Sequence, residues 1–397
     1  MKKYSVFLSL ITCMVVLIGC VGRNEIVEMD KVDKIDKIDK VDKIDMTLHD
    51  GFETSKPVES YQETDEMAGI LEELCQEIYE NALADGTVGD LEFVRAMVAR
   101  LGEKGYPVID QDSQINMENP RELEAFCEKV EEARPGNVMF LMALNNGGFV
   151  RFQMETEDGR VNVVADSLWW KEQHGRWQLV NIGTDSYEAH TWVRSENGYL
   201  FFEKYYMAGF SGPYAHTAVR IEPLDETYRE LNRTYIQPIG YGSTNLFITD
   251  WTEEDYGDVN FYDLYELLYK MEYSANVPYF QEYEGQQFRI PAEEFEQVIR
   301  TRFHISSETL HEKAMYDASS QTYQYTPRGI YNIAGGSEFP YPEVISYRNL
   351  EDNTIELTVN AVWPEQNLGT AFLHKVVIRP LPDGSFQYVS NQRISSE

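Results

Sequence analysis

The sequence is short of bases. Its 397 residues hold 34 lysines and arginines against 67 aspartates and glutamates, a formal net charge of −33. No basic stripe relieves this, and a net anion repels a phosphate backbone, so nucleic acid is excluded as a partner. Cysteine is scarce, with four in the whole chain and none in a C-x-x-C pair. That leaves no basis for a zinc site or thioredoxin-type chemistry. The seven histidines, His49, His174, His190, His216, His304, His311 and His374, form neither HExxH nor any other close metal-ligand spacing. A nucleophile elbow is missing too, since Gly209-Phe210-Ser211-Gly212 lacks the G-x-S-x-G spacing. Gly335-Gly336-Ser337 is no phosphate cradle, because no helix start with a lysine follows it, and there is no dinucleotide fingerprint. No catalytic set, metal site or cofactor is therefore expected. Apolar material is not lacking: 43% of the residues are hydrophobic and 13% aromatic, which excludes a wholly disordered chain.

The amino terminus reads as an address. Met-Lys-Lys opens a basic region, and Val6 to Ile18 form an apolar stretch broken only by Ser9 and Thr12. These thirteen residues are too few to span a bilayer core, which needs about 20. They fit a secretory signal over residues 1–19 instead. Leu17, Ile18 and Gly19 followed by Cys20 resemble the lipobox of bacterial lipoproteins, in which the cysteine thiol accepts a diacylglycerol. The expectation is lipidation at Cys20 and residence at the cell membrane, facing the extracytoplasmic side, since paired acyl chains anchor stably where one does not.

A low-complexity tether spans residues 20–56. Asp30 to Asp45 repeat Asp-Lys-Val/Ile, with six aspartates and five lysines. A period of three draws no continuous apolar stripe on a 3.6-residue helix. The tether is expected to be a spacer reaching at most about 120 Å.

The body reads as α+β: helices followed by antiparallel β-meanders, in two lobes. Residues 57–222 are expected to form the first lobe. Leu71, Leu74, Cys75, Ile78 and Ala82 share one helical face, and Leu91, Val94, Val98 and Leu101 share a second. Asn119-Pro120-Arg121-Glu122 reads as a capped helix start. Val138–Leu144 is then an apolar run, Val150, Phe152 and Met154 alternate with polar residues, the chain turns at Asp158-Gly159, and further strand-like segments surround Trp177, Tyr199 and His216. Residues 223–289 are expected to be a connecting helical region, with Asn260 capping one helix. Residues 290–397 repeat the plan as a second lobe. Pro291 starts a helix there, Ser306 or Ser307 caps another, and Ile355, Leu357, Val359, Ala361 and Trp363 alternate along a strand. This element order points to a cystatin-like or NTF2-like lobe.

Cys75 and Cys127 lie on apolar helix faces. Outside a membrane they form either one disulfide or two buried thiols, and both readings stand. Asp250, Glu253, Glu254, Asp255 and Asp258 crowd nine residues around Trp251 and Tyr256. Such a cluster serves as a solvated loop, a calcium loop or an acid/base pair between sugar-stacking rings. Aromatic clusters at Trp169-Trp170, Tyr205-Tyr206 and Tyr323, Tyr325, Tyr331 suit either sheet packing or a binding face.

Three stretches carry a family resemblance: Ile290-Pro291-Ala292-Glu293-Glu294-Phe295, Phe339-Pro340-Tyr341-Pro342-Glu343-Val344 and Phe386-Gln387-Tyr388-Val389-Ser390-Asn391. They resemble uncharacterised lipoproteins of Gram-positive anaerobic gut bacteria, a domain of unknown function, and the likeness runs through most of the body. The resemblance implies surface anchoring and assigns no site residues. The leading expectation is a non-catalytic module, tied to the membrane by its lipid, that binds a cell-wall, glycan or protein ligand. The alternatives are a wall- or glycan-directed hydrolase using paired carboxylates and a calcium-stabilised surface module.

Overall fold

A computed structural model describes residues 58–205, 216–283, 285–327 and 339–394. The lipobox Leu17–Cys20, the tether, the two glycine loops, Tyr206 and Tyr331 lie outside the described residues. The chain is α+β, with helices set on largely antiparallel sheets.

Two helices come first, α1 (Val58–Asp85) and α2 (Leu91–Gly102). Leu71, Cys75 and Ala82 of α1 are buried against Val94, Val98 and Leu101 of α2, the faces their spacing predicts. A three-residue strand β1 (Val108–Asp110) precedes α3 (Arg121–Glu131). The expected Asn119 cap is not made. Asn119 stands at φ 52° and turns its side-chain amide back to the carbonyls of Gly102 and Tyr106, so it closes the end of α2 instead.

Six strands follow: β2 (Gly136–Ala143), β3 (Phe149–Glu157), β4 (Arg160–Gln173), β5 (Arg176–Arg194), β6 (Tyr199–Lys204) and β7 (His216–Arg220). They form one seven-stranded sheet in chain order with β1 at its edge. β1 runs parallel to β2, the exception to the antiparallel meander. The turn at Asp158-Gly159 holds both residues at positive φ, 52° and 78°, which matches the twist of the strands it joins. Side chains of β2 alternate between two cores. Leu141 and Ala143 meet α1 and α2 on one face, while Phe140 and Met142 meet Leu123, Phe126 and Cys127 of α3 on the other. Cys75 and Cys127 therefore belong to different cores, one on each face of the sheet, and both thiols are free and buried; the disulfide reading does not hold.

The second half opens with α4 (Glu226–Leu231), capped by Asp225, and a π-helical turn Asn232–Ile236. Then come β8 (Trp251–Thr252), α5 (Phe261–Tyr273), β9 (Phe288–Pro291), α6 (Ala292–Arg300), α7 (Ser307–Lys313), β10 (Tyr316–Asp317) and β11 (Thr322–Tyr325). The chain ends in β12 (Tyr341–Asn349), β13 (Ile355–Trp363), β14 (Leu368–Pro380) and β15 (Phe386–Ile394). Asn260 accepts hydrogen bonds from the backbone of Tyr262 and Asp263, and Ser306 from that of Thr309, as capping requires. The sheet order is β12-β13-β14-β15-β8, with a separate β10-β11-β9 sheet. One continuous core joins Leu246, Trp251, Leu264 and Leu268 to Phe295, Phe303, Leu357, Val376 and Tyr388. The segment expected to connect two lobes thus supplies an edge strand and part of the second core.

β13 buries Leu357, Val359 and Ala361 on its inner face as its alternation predicts. Asn360 and Val362, on the opposite face, are buried as well. Tyr199 and Phe201 of β6 pack against Val362, a small apolar cluster where the first sheet meets the second.

Candidate functional site

The acidic run 250–258 is a surface stretch, with Asp250, Glu254, Asp255 and Asp258 exposed, tied down through some of its carboxylates. Both guanidinium Nη atoms of Arg379 hold Glu253, at 2.6 and 2.7 Å. Asp250 accepts the backbone N–H of Arg393 at 2.7 Å, and Asp255 that of Gly257 at 3.0 Å. The interleaved rings are core: Trp251 and Tyr256 are buried and stacked with centroids 5.7 Å apart. They line no sugar cleft. Among the described residues, no group of three or more histidines, cysteines, aspartates and glutamates gathers to hold a metal ion.

The junction between the sheets collects polar groups that no local pattern announced. Glu343, on β12, accepts the Tyr199 hydroxyl at 2.7 Å and Arg220 Nη1 at 3.1 Å. The Arg220 guanidinium also lies 5.1 Å from the centre of the Tyr199 ring. Arg229 of α4 donates to the Ser113 carbonyl, and to the Asn116 side-chain oxygen at 2.8 Å. Asn232 donates to the Pro342 carbonyl at 3.0 Å. The 110–115 turn is wound around the Asp110 carboxylate, which accepts the backbone N–H groups of Asp112, Gln114 and Ile115. That winding presents the Ser113 carbonyl to Arg229.

Burial dominates the electrostatics here. It pushes the Glu343 carboxyl up despite the pull of Arg220, raises Asp110 against its backbone donors, and lowers Arg229. The enclosed space, lined by Tyr199, Arg229, Asn232, Tyr341 and Glu343, measures about 10 Å³. Such a volume admits about one water. The arrangement fastens two sheets together; it holds no nucleophile beside a base and no room for a substrate.

A third cluster is aromatic. On α5, the Tyr265, Tyr269 and Tyr273 rings follow one another at 5.9 and 4.6 Å. Tyr265 meets Tyr325 at 5.7 Å, and Tyr325 meets Tyr279 at 5.9 Å. Inside, Glu294 accepts the hydroxyls of both Tyr265 and Tyr279. Burial and this carboxylate push Tyr279 up to about 12. Three rings of this region, one ending the α5 series and two in the chain beyond it, are exposed. Tyr273 is 45% exposed, Phe280 84% and Tyr283 67%. The aromatic groups singled out in the sequence divide differently. Tyr323, Tyr325 and Trp170 are buried, and Trp170 stacks on Tyr79 at 4.8 Å. Tyr205 is exposed. Phe280 and Tyr283 carry no sequence mark separating them from buried neighbours.

His374 is wholly buried between Tyr241 and Asn391, and His311 stacks on Tyr316 beside Glu296. Both are accounted for as packing. No helix among the described residues is long and apolar enough to cross a membrane.

No curated protein and no solved structure matches this chain. The model of a family of unknown function, DUF6070, matches residues 60–397, from the start of α1 through the last strand. The chain belongs to that family.

Proposed function

We propose that this protein is a lipid-anchored extracytoplasmic binding module, held through Cys20 and presenting its body beyond the 20–56 tether to a partner in the wall space. The binding half of the reading rests on one observation, the aromatic edge at Tyr273, Phe280 and Tyr283. Large rings left this exposed in one short stretch mark a contact surface better than they serve folding. The anchoring half rests on the Leu17-Ile18-Gly19-Cys20 motif.

Two measurements test it. Metabolic labelling with a palmitate analogue is expected to depend on Cys20, and a Cys20→Ala chain that still labels defeats the anchor. Phe280→Ser with Tyr283→Ser is expected to leave Tm within about 2 °C, because neither ring has much area to lose from a core. A larger fall would make the rings structural and defeat the surface.

A further inference from the structure

We infer that the aromatic edge receives a cationic polypeptide segment, its lysine or arginine side chains laid over the exposed rings and paired with the carboxylates beside them. This rests on the binding-module reading and names its partner by chemistry.

Charge selects the occupant. Along residues 266–283 the acids Glu266, Glu272 and Glu282 outnumber a single base, Lys270. Glu272 and Glu282 are exposed, next to Tyr273 and Tyr283 in the chain. The whole chain carries −33. Anionic polymers and anionic lipid are repelled by such a body, while a basic segment is steered toward it. Ring faces then add what charge alone does not. A cation over a tyrosine or phenylalanine face is attracted by the ring quadrupole, and a guanidinium or ammonium there keeps its carboxylate partner. Several rings in succession, Tyr269 and Tyr273 at 4.6 Å and then Phe280 and Tyr283 farther along the chain, offer separate seats to successive side chains rather than one cage for a single small cation.

The base on which the exposed rings sit in the chain is preformed. Tyr269 and Tyr279 are half-buried and held by the inner rings, and Gln281 donates to the Pro327 carbonyl at 3.0 Å. Little side-chain entropy is left to lose on binding at those positions.

The test uses the full chain and a triple variant, Tyr273→Ala, Phe280→Ala and Tyr283→Ala, which keeps every charge. Fluorescence anisotropy at about 0.15 M salt, where surface charge is screened beyond roughly 8 Å, follows a labelled dodecapeptide of alternating lysine and glycine. The expected result is a loss of affinity of about tenfold or more in the triple variant with Tm unchanged, as three removed cation–π contacts imply. Equal affinity for the two chains would mean bulk charge alone and overturns the proposal. A labelled N-acetylglucosamine hexamer runs in parallel. Ring-dependent binding of the sugar without ring-dependent binding of the peptide overturns the cationic partner while the binding module stands. Ring dependence with neither probe removes this partner and takes the support from the module as well.

Discussion

The Tyr199 hydroxyl, on β6, donates across 2.7 Å to the Glu343 carboxylate, on β12, and so ties the first sheet to the second through a buried acid. The same carboxylate takes Arg220 Nη1, making Glu343 the shared acceptor of two groups from the other half of the chain. Truncating one partner of a buried charge pair costs more than the pair contributes, since the survivor is left buried and uncompensated. Glu343→Ala is therefore expected to destabilise by about 3–5 kcal/mol. Glu343→Gln, which keeps an acceptor for Tyr199, is expected to cost less. Chemical denaturation checks the ranking, and equal losses would show that the acceptor geometry is immaterial.

His374 gives the protein a titration with a definite sign. Asn391 spends its amide N–H on the Thr249 carbonyl, so its oxygen faces His374 Nδ1, at 2.6 Å. Nδ1 must then carry the proton, and Nε2 accepts the Tyr241 hydroxyl at 2.8 Å, a neutral tautomer with both nitrogens satisfied. Burial holds the imidazole down at about 4. An unfolded histidine titrates near 6.5, so between these values the unfolded chain binds the extra proton. Stability from this group is complete above about pH 6.5 and is lost as pH falls toward 4, by roughly 3 kcal/mol. Glu343 and Asp110, pushed upward, act in the opposite sense and favour the folded state as they take up protons. Comparing the stability of wild type and His374→Gln over pH 4–7 isolates the histidine; parallel curves would refute it.

Much of the architecture was legible because its signals are local. Helix faces, the caps at Asn260 and Ser306, the Asp158-Gly159 turn and the alternation of β13 each depend on residues within a few positions of one another. β1 escaped because three residues are too short to display a period. Asn119 misled because its side chain serves the end of α2, 13 to 17 residues upstream, rather than the helix it precedes. The Glu343 junction was out of reach for a related reason. Its partners lie 123 and 144 residues away in the chain, and nothing in the Tyr341-Pro342-Glu343 stretch marks the acid as buried except the apolar Pro342 and Val344 on either side. The aromatic edge was not legible: the aromatic clusters of the sequence are Trp169-Trp170, Tyr205-Tyr206 and Tyr323, Tyr325, Tyr331, and none of Tyr273, Phe280 and Tyr283 is among them; the fold alone sorts exposed Tyr283 from buried Tyr323.

The two cysteines should behave as inert core residues. Burial pushes both thiols up to about 12, so neither supplies thiolate at neutral pH. With the sheet between them they cannot pair in the folded state. Reductant is expected to leave Tm unchanged, and a maleimide probe is expected to label Cys75 and Cys127 only after unfolding. Labelling of native protein at either site would contradict the burial.

Gly147 carries two separable constraints, and a matched glycine pulls them apart. It stands at φ 83°, a conformation that costs a residue with a Cβ roughly 1–2 kcal/mol. A Cβ there would also lie 2.7 Å from Cδ2 of Tyr79 and 3.1 Å from Phe93. Tyr79 cannot simply turn aside, because it stacks on Trp170 at an interplanar angle of 12°, and Trp170 donates its indole N–H to the Gly147 carbonyl at 2.8 Å. Gly175 shares the backbone state, at φ 75°, but nothing lies within 4 Å of its would-be Cβ. Gly175→Ala should therefore show the backbone cost alone. Gly147→Ala should add about 1–3 kcal/mol for forcing side chains and backbone apart in a packed core. If thermal or denaturant unfolding gives the two variants equal losses, the Tyr79–Trp170 stack yields to an added methyl, and the rigidity argued for this corner of the first core is absent.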